Sequence, residues 1–239
     1  MASGKIYAGT SGWAYATWKP DFYPAKLASA KFLGYYATRL NSVEVNYTFR
    51  RYVTAKLLAG WIAATPANFK FAVKAHQNIT HVRRLKDVAE TTSIFLESLE
   101  PLREAGKLGP VLFQLPPYLH CDIARLEDFL RGLPRNTRAA MEFRHASWFT
   151  DEVYDRLRRA NVALCHAETD KLATPDVATA DYAYFRFRKE SHSPQDRKVI
   201  AGRVAQAIER GDAFVYFKHE DTPEGALYAE SLLKASDGR

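Results

Sequence analysis

The sequence has few of the features that define secreted, membrane and metal-binding proteins. It contains two cysteines in 239 residues, Cys121 and Cys165, too few for a disulfide framework and with no metal-binding spacing. No apolar run approaches the ~20 residues of a transmembrane helix, and the first residues lead into a strand pattern without an apolar signal region. We therefore expect a soluble protein of a reducing cytoplasm that has no membrane partner.

Motifs of the common cofactor and metal enzymes are also missing. No glycine-rich phosphate-binding turn follows a predicted strand, and the chain has neither HExxH nor paired CxxC motifs. On these grounds we predict no cofactor and no metal. Low-complexity segments and linkers are absent as well, so residues 1–239 are predicted to form one domain.

What the chain does have is a basic balance, with a formal net charge of +7. Such a charge favours anionic partners, either small phosphorylated molecules or nucleic acid. The alternative is that the charge only aids solubility, because the basic residues are spread along the chain and form no tail.

Short strand patterns alternate with amphipathic helical patterns along the chain. The predicted strands are Lys5–Thr10, Ser42–Asn46, Phe69–Ala75, Val111–Leu115, Arg138–Phe143, Val162–Cys165, Tyr182–Phe187 and Phe214–Lys218. The predicted helices are Ala28–Arg39, Thr54–Ala63, Asp87–Arg103, Ile123–Arg131, Asp151–Ala160, Gln195–Arg210 and Gly225–Lys234. Glu168–Asp181 is the exception and is predicted to be a loop.

Eight strands separated by helices require parallel pairing, and closing the sheet removes both edges. The predicted fold class is α/β, a single (β/α)₈ TIM-like barrel with a parallel closed sheet and aromatic-rich βα loops. An open doubly wound sheet is the alternative, which the missing glycine-rich turn disfavours.

Five sequence blocks resemble the YecE-like family, domain of unknown function 72. The first contains Gly9–Trp13 with Tyr15, Trp18 and Phe22–Pro24, and the others are Asn41–Glu44 with Asn46, Ile79–His81, Gln114–Pro117 and Glu142–Trp148. They cover roughly residues 5 to 150. The resemblance implies a TIM-barrel fold and supplies no established activity. The chain departs from the family pattern after the seventh and eighth strands, at Arg186–Lys189 and Lys218–Asp221.

Strand alternation turns a set of polar side chains toward the barrel interior, near the carboxyl ends of the strands. These residues are Glu44, Asn46, Lys74, Gln114, Glu142, Arg144, Arg186 and Lys218. Two glutamates stand against four cations, so the surplus positive charge predicts a pocket that binds an anion. The alternative is a set of ion pairs that only fills the upper barrel.

Glu44 and Glu142 are the first candidates for acid/base catalysis, with Glu142 the better base because Arg144 and His145 adjoin it. His81 and His145 are secondary candidates. A metal site is the alternative use of the histidines at the strand ends, yet the neighbouring lysines and arginines would repel a cation. Its candidate ligands are His76, His81, His145, His166 and His219 with Glu142, Glu168, Glu220 and Asp221.

Aromatic residues crowd the predicted loops. Trp13, Tyr15, Tyr47 and Trp148 are predicted to close over a ring of the substrate, with a purely structural lid as the alternative. In the third loop Arg83 and Arg84, near His81, would extend a basic groove toward phosphates.

These residues support three functional hypotheses. The first is an enzyme that uses acid/base chemistry on an anionic, ring-containing substrate, such as a phosphorylated sugar, a nucleotide or a nucleic-acid end. The second is a nucleic-acid-binding protein without catalysis. The third is a metal-dependent phosphoesterase resembling the endonuclease-type barrels.

Overall fold

The computed structural model describes residues 4–168, 172–189, 191–218 and 221–237. Eight strands, all paired in parallel, form one sheet in the order β1-β8-β7-β6-β5-β4-β3-β2. The strands are β1 Ile6–Thr10, β2 Ser42–Val45, β3 Lys70–Lys74, β4 Leu108–Gln114, β5 Ala139–Glu142, β6 Ala163–Ala167, β7 Ala183–Phe187 and β8 Ala213–Phe217. This confirms the predicted barrel and excludes the open sheet.

Helices follow most of the strands. They are α1 Phe32–Arg39, α2 Ala55–Ala63, α3 Ala89–Glu97, α4 Glu100–Glu104, α5 Ile123–Gly132, α6 Asp151–Ala160, α7 Pro194–Ile208 and α8 Glu224–Asp237. Short turns of 3₁₀ helix occupy Ala16–Trp18, Ser29–Lys31, Tyr47–Phe49 and Ala146–Trp148, and a π-helical turn occupies Asn78–Val82. None of the described helices is long and apolar enough to cross a membrane.

The prediction of one continuous helix over Asp87–Arg103 is wrong, because the segment forms two helices, α3 and α4. Pro101 lies in the first turn of α4. Proline lacks an amide N–H and clashes with the preceding turn, so the segment restarts as a new helix there.

Side-chain caps fix the start of several helices. Thr54 caps α2, Asp122 caps α5 and Thr150 caps α6, each accepting a hydrogen bond from a backbone N–H of the first turn. Ser193 and Asp196 form a reciprocal capping box on α7. These caps set where each helix begins, and therefore how long each βα loop above the barrel is.

The connection from β6 to β7 contains no helix in its described part, residues 172–182, as the sequence predicts for this loop. Thr179 anchors the segment against β6. Its Oγ1 donates to the Val162 carbonyl at 2.7 Å and accepts from the Leu164 N–H at 2.7 Å. Hydrogen bonds thus replace helix packing on this side of the barrel.

Alternate side chains of each strand divide into two buried sets. The outer set packs under the helices and includes Val43, Val73, Phe113 and Met141. The inner set fills the barrel and comprises Tyr7, Ala72, Leu112, Ala140, Ala163, Cys165, Ala167, Tyr182, Tyr184, Phe214 and Tyr216. The apolar filling occupies the lower and middle barrel, and polar residues follow it at the carboxyl ends of the strands.

The barrel closes between β1 and β2 mainly through side chains. Asn41 Oδ1 accepts from the Ala8 N–H at 2.9 Å, and Asn41 Nδ2 donates to the Ile6 carbonyl at 2.8 Å. Nearer the top, the Gly12 N–H donates to the Glu44 carbonyl at 2.9 Å. A side-chain amide therefore takes the place of the usual strand-to-strand ladder in this seam.

The phenol of Tyr36, which projects from α1, completes the same seam. It accepts from the Thr10 N–H at 2.9 Å and donates to the Ser42 carbonyl at 2.9 Å. Gly9 lies against this bridge, where an added Cβ would stand 1.9 Å from the Ser42 carbonyl oxygen. The close approach of β1 and β2 thus requires glycine at this position.

Candidate active site

Arg186, at the carboxyl end of β7, connects the two inward glutamates. Its Nη2 donates to Glu44 Oε1 at 2.8 Å, and its Nη1 donates to Glu142 Oε2. The guanidinium is 3% exposed and both carboxylates are fully buried. One arginine therefore spans the top of the barrel between β2 and β5.

Further donors saturate both carboxylates. Glu44 accepts from the Ser11 hydroxyl and the Tyr184 phenol, each at 2.7 Å. Glu142 accepts from Gln114 Nε2 at 2.6 Å and from Arg144 Nε at 2.8 Å. Five side chains therefore donate hydrogen bonds to the two glutamates: Ser11, Gln114, Arg144, Tyr184 and Arg186.

The same contacts set the charge of the two carboxyls. Burial by itself raises the pKa of Glu142, but Arg186, Arg144 and the hydrogen bonds outweigh it and lower the pKa to about 2. Burial likewise raises the pKa of Glu44, and Arg186 with the hydroxyl donors brings it below its usual value. Both glutamates are therefore ionised at neutral pH.

Lys74 ends β3 beside this network. Its Nζ lies 4.1 Å from the centroid of the Phe49 ring, and no ion pair to a carboxylate is found for it within the described residues. Burial, with Arg186 as the next cause, lowers the pKa of Lys74 to about 8. At pH 7 this amine is therefore mostly charged, but its neutral fraction is larger than that of an ordinary lysine.

Arg188 follows β7 and adds another cation to the strand ends. Burial and then Arg186 lower the pKa of its guanidinium, although an arginine stays charged at neutral pH. Among the residues that the structure describes, Arg188 has no ion pair. Arg188 lies two residues after Arg186, a spacing that in an extended strand gives both side chains the same face, but the sequence does not reveal this deficit of negative charge.

Asn46 and Arg186 each carry a buried polar atom without a partner. Asn46 Oδ1 and Arg186 Nε make no hydrogen bond to any residue that the structure describes, and such atoms are costly unless a ligand or water pairs with them. Val45 pairs with Val73 in the parallel register, so Asn46 and Lys74 leave neighbouring strands at the same level. The unused acceptor therefore belongs to the residue that follows β2, next to the strand that Lys74 ends.

The two candidate catalytic histidines occupy different surroundings. His81, in the π-helical turn, stands edge-on to Phe49 with ring centroids 4.9 Å apart, and burial followed by Lys74 lowers its pKa. His145 Nδ1 instead shares a 2.8 Å hydrogen bond with Ser147 Oγ, and its ring lies 3.9 Å from that of His120. His81 joins the Lys74 side of the site, whereas His145 contacts Ser147 of its own loop and His120 of the loop after β4.

Two of the four aromatic residues predicted to close over a substrate ring, Trp13 and Trp148, pack against the outer layer of the barrel. Trp148 is fully buried, stacks on Phe143 at 4.7 Å and donates from Nε1 to the Leu119 carbonyl. Trp13 packs edge-on against Trp61 of α2. These two rings serve the packing of loops on helices, because their partners belong to the outer layer.

The remaining predicted ligand-binding residues differ in exposure. Tyr15 is half-buried and donates to the Ser11 carbonyl at 2.9 Å, and Tyr47 is 47% exposed. Lys218 follows β8 and its N–H donates to the Phe187 carbonyl at 2.9 Å. Tyr47 is thus the predicted aromatic whose ring is most open to solvent.

No group of three or more histidine, cysteine, aspartate or glutamate residues in the described chain is arranged to hold a metal. His166, one of the histidines considered, stacks on Phe185 in the outer layer, where burial lowers its pKa to about 4. Two further candidates, His219 and Glu220, lie outside the described residues.

Ser11, Tyr184 and Phe49 are site residues to which the sequence pattern gives no ligand-binding role. A signal for Tyr184 exists, because it stands two residues before Arg186 and shares its face. Ser11 directly follows β1, and its bond to Glu44 crosses the seam of the barrel. Neither hydrogen bond is visible without the closed barrel.

A basic surface lies beside the site, on the loops after β2, β3 and β4. From Val45 to Lys86 the sequence has eight lysines and arginines and no acidic residue. Exposed tyrosines accompany them: Tyr47 at 47%, Tyr52 at 38% and Tyr118 at 62%. We call these loops the basic aromatic rim, whose exposed members are Tyr47, Arg50, Arg51, Tyr52, Arg83, Arg84, Lys86 and Tyr118.

The backbone of the rim is strained at its most basic point. Arg84, Leu85 and Asp87 adopt left-handed conformations, with φ values of 52°, 66° and 51°. Such conformations are uncommon for residues other than glycine and persist where the surroundings enforce them. Burial of Leu85 anchors this loop, which leaves Arg83 and Arg84 facing solvent.

The fold and its ion network define the chain as a parallel (β/α)₈ barrel with a charged cluster at the carboxyl ends of its strands. The chain belongs to the family described as Protein of unknown function DUF72, whose model matches residues 7–238. This confirms the resemblance inferred from the sequence blocks, and the match extends past residue 150 into the C-terminal third.

Relatives agree with this assignment. A DUF72 family protein of Thermotoga maritima MSB8 is 28% identical, with a TM-score of 0.87 over 98% of this chain and 99% of its own. A DUF72 family protein of Enterococcus faecalis V583, 20% identical over 96% of this chain and 95% of its own, has a TM-score of 0.81 and supports the fold alone. The UPF0759 protein YunF of Bacillus subtilis is 33% identical over 158 residues, which cover 63% of this chain and 55% of YunF.

Proposed function

We propose that the carboxyl ends of the barrel strands form the active site of an enzyme that acts on an anionic substrate. The observation that carries this proposal is the surplus of positive charge. Lys74, Arg144, Arg186 and Arg188 face two glutamates, and the pKa values of Lys74 and Arg188 are both lowered. A phosphate or carboxylate would supply the missing negative charge and accept charge-assisted hydrogen bonds.

In this proposal Glu44 and Glu142 position the cations and do not carry protons. All four of their carboxylate oxygens already accept hydrogen bonds, and a carboxylate with a lowered pKa is a weak base. Lys74 and His81 are the proton carriers. Burial lowers the pKa of each side chain and so favours its neutral, proton-accepting form.

Removing a cation is expected to weaken anion binding. Arg144→Ala and Arg188→Ala should each lower the affinity for inorganic phosphate by ~10–100-fold, because a hydrogen bond to a charged group contributes about 1.5–3 kcal/mol. Isothermal titration calorimetry measures the change. Arg131→Ala is the matched control, since its guanidinium pairs with Asp128 on the exposed face of α5. Equal phosphate affinity in all four proteins would contradict the proposal.

The pH dependence of binding should reflect Lys74. A cation with a pKa of about 8 is charged below that pH and loses its charge as the pH rises through it. Affinity for sulfate, whose charge is constant in this range, should therefore fall above pH 8 and should be accompanied by proton uptake on binding. In Lys74→Arg the fall should disappear. A wild-type affinity that stays level across this range would exclude Lys74 from the anion site.

The basic aromatic rim favours a second candidate, a nucleic-acid-binding function. It combines exposed tyrosines with arginines on neighbouring loops, and single-stranded nucleic acid stacks its bases on aromatic rings while its phosphates meet cations. The loops after β2 and β3 contain no acidic residue before Asp87, whereas ion pairs such as Arg158–Asp155 balance the charge on α6.

A salt series tests the second candidate. Fluorescence anisotropy of a labelled single-stranded oligonucleotide should show binding that weakens with salt. The double variant Arg83→Ala, Arg84→Ala should flatten the log–log slope by about 1.4, as expected for two lost phosphate contacts. The control double variant Arg158→Ala, Arg159→Ala removes the same charge from the exposed face of α6. If both double variants behave alike, the rim has no specific role in binding.

A further inference from the structure

Three described lysines have a lowered pKa, and they differ in how their amines are used. Lys70 Nζ donates to the Gly106 carbonyl. Lys107 Nζ donates to the Ile62 carbonyl at 2.7 Å and to both oxygens of Thr65, at 2.7 and 2.9 Å. Lys74 Nζ has no hydrogen-bond acceptor in the described chain, and it lies over the Phe49 ring. Its nitrogen lone pair is therefore open to reaction when the amine is neutral.

The surroundings of Lys74 are those of an activated amine. A lysine becomes a nucleophile when it is desolvated or stands near another cation, because both conditions favour the neutral form. Burial and Arg186 supply these two conditions here. The Phe49 ring covers one side of the amine at 4.1 Å in a cation–π contact that favours the charged form. Burial and the neighbouring Arg186 and Arg144 act in the opposite direction and lower the pKa.

We propose that Lys74 is a nucleophile that forms an imine with the carbonyl group of an aldehyde or ketone bearing a phosphate or carboxylate. This inference rests on the proposed function, since Arg144 and Arg188 would hold the anionic group of the same substrate. It names the substrate class as an anionic carbonyl compound and gives Lys74 a covalent role.

The reaction balances without an oxidant or a cofactor. The neutral Nζ attacks the carbonyl carbon, and a proton moves from nitrogen to oxygen through water to give a carbinolamine. Loss of one water then forms the carbon–nitrogen double bond. The departing oxygen takes a second proton from solvent and the nitrogen releases its own proton, so that the hydroxyl leaves as water and the net change replaces the carbonyl oxygen by the lysine nitrogen.

Trapping with borohydride tests the inference. Pyridoxal 5′-phosphate, an aldehyde with a phosphate group, is incubated with the protein, reduced with borohydride and located by peptide mass spectrometry. Lys74 should be labelled on the order of 10-fold or more faster than Lys107 or the exposed Lys234, because a pKa of about 8 gives it a larger neutral fraction than an ordinary lysine and no described carboxylate pairs with it. Labelling should rise with pH through 8 and should be absent at this position in Lys74→Arg.

Two comparisons separate this inference from the proposed function. Pyridoxal without the phosphate should label Lys74 more slowly, and inorganic phosphate should protect Lys74 from the phosphorylated probe. Labelling of Lys74 no faster than that of Lys234, in a protein whose phosphate binding still depends on Arg144, would overturn the nucleophile and leave the anion site intact. Equal labelling by both aldehydes, with no protection by phosphate, would overturn the anionic substrate class and contradict the proposed function.

Discussion

Replacing Arg186 by methionine is expected to cause the largest loss of stability among single charge changes in this protein. The variant keeps a side chain of similar length but leaves Glu44 and Glu142 buried without their shared cation. Removing one partner of a buried ion pair costs ~3–5 kcal/mol, because the remaining charge cannot regain its hydration. Urea unfolding at pH 7 measures the difference. Arg131→Met, from an exposed pair, should change stability by less than ~1 kcal/mol.

The pH dependence of the same variant provides a second test. In the wild type the pKa of Glu142 is about 2, below that of an unfolded glutamate, so this carboxyl contributes stability at higher pH that is lost as pH falls toward 2. Without Arg186, burial raises the pKa values of the glutamates, and protonation relieves their repulsion. The difference in free energy of unfolding between wild type and variant should therefore narrow as pH falls through the range in which glutamate ordinarily becomes protonated. A gap that is constant from pH 7 to pH 4 would contradict the charge argument.

Gly9→Ala is expected to open the seam between β1 and β2. The added Cβ would lie 1.9 Å from the Ser42 carbonyl oxygen and 2.6 Å from the Tyr36 phenol oxygen. β1 would have to move away from β2, which would break hydrogen bonds of the Tyr36 bridge. Overpacking together with the loss of buried hydrogen bonds should lower the free energy of unfolding by about 3–5 kcal/mol. Thermal and urea unfolding would measure the effect.

The matched control is the same substitution where space is available. Gly60 lies inside α2, and an added Cβ there would meet no atom within 4 Å. Gly60→Ala should therefore stabilise the protein by ~0.5–1 kcal/mol, because alanine loses less backbone entropy in a helix than glycine. A Gly9→Ala protein as stable as the wild type would mean that the seam does not depend on the close approach of β1 and β2.

The sequence by itself determined the barrel and the inward set of polar residues. Strand side chains alternate with a period of two, and the outer face of a barrel strand must be apolar to pack under helices. Val43 and Val45 therefore turn Glu44 inward, and Met141 and Phe143 do the same for Glu142. This local rule needs no knowledge of the distant strands, and it predicted the inward direction of Glu44 and Glu142, which are both buried in one ion network.

The role of the aromatic residues in the loops could not be predicted from the sequence. The loop after β5 carries Trp148, whose place in a loop suggests a binding ring, yet its stacking partner Phe143 lies on the outer face of β5. Sequence position cannot separate a ring that covers a site from one that fills a gap between loop and helix. The difference is decided by which neighbours bury it.

Only the tertiary structure decided which of the inward charged residues form ion pairs with one another. Arg186 reaches both Glu44, 142 residues away, and Glu142, 44 residues away, because closing the sheet brings β2, β5 and β7 around one axis. That closure pairs the glutamates with Arg186 and Arg144, and among the described residues it leaves Lys74 without a carboxylate partner. The sequence supplies the number of charges, whereas the three-dimensional distances among strand ends determine which of them neutralise one another.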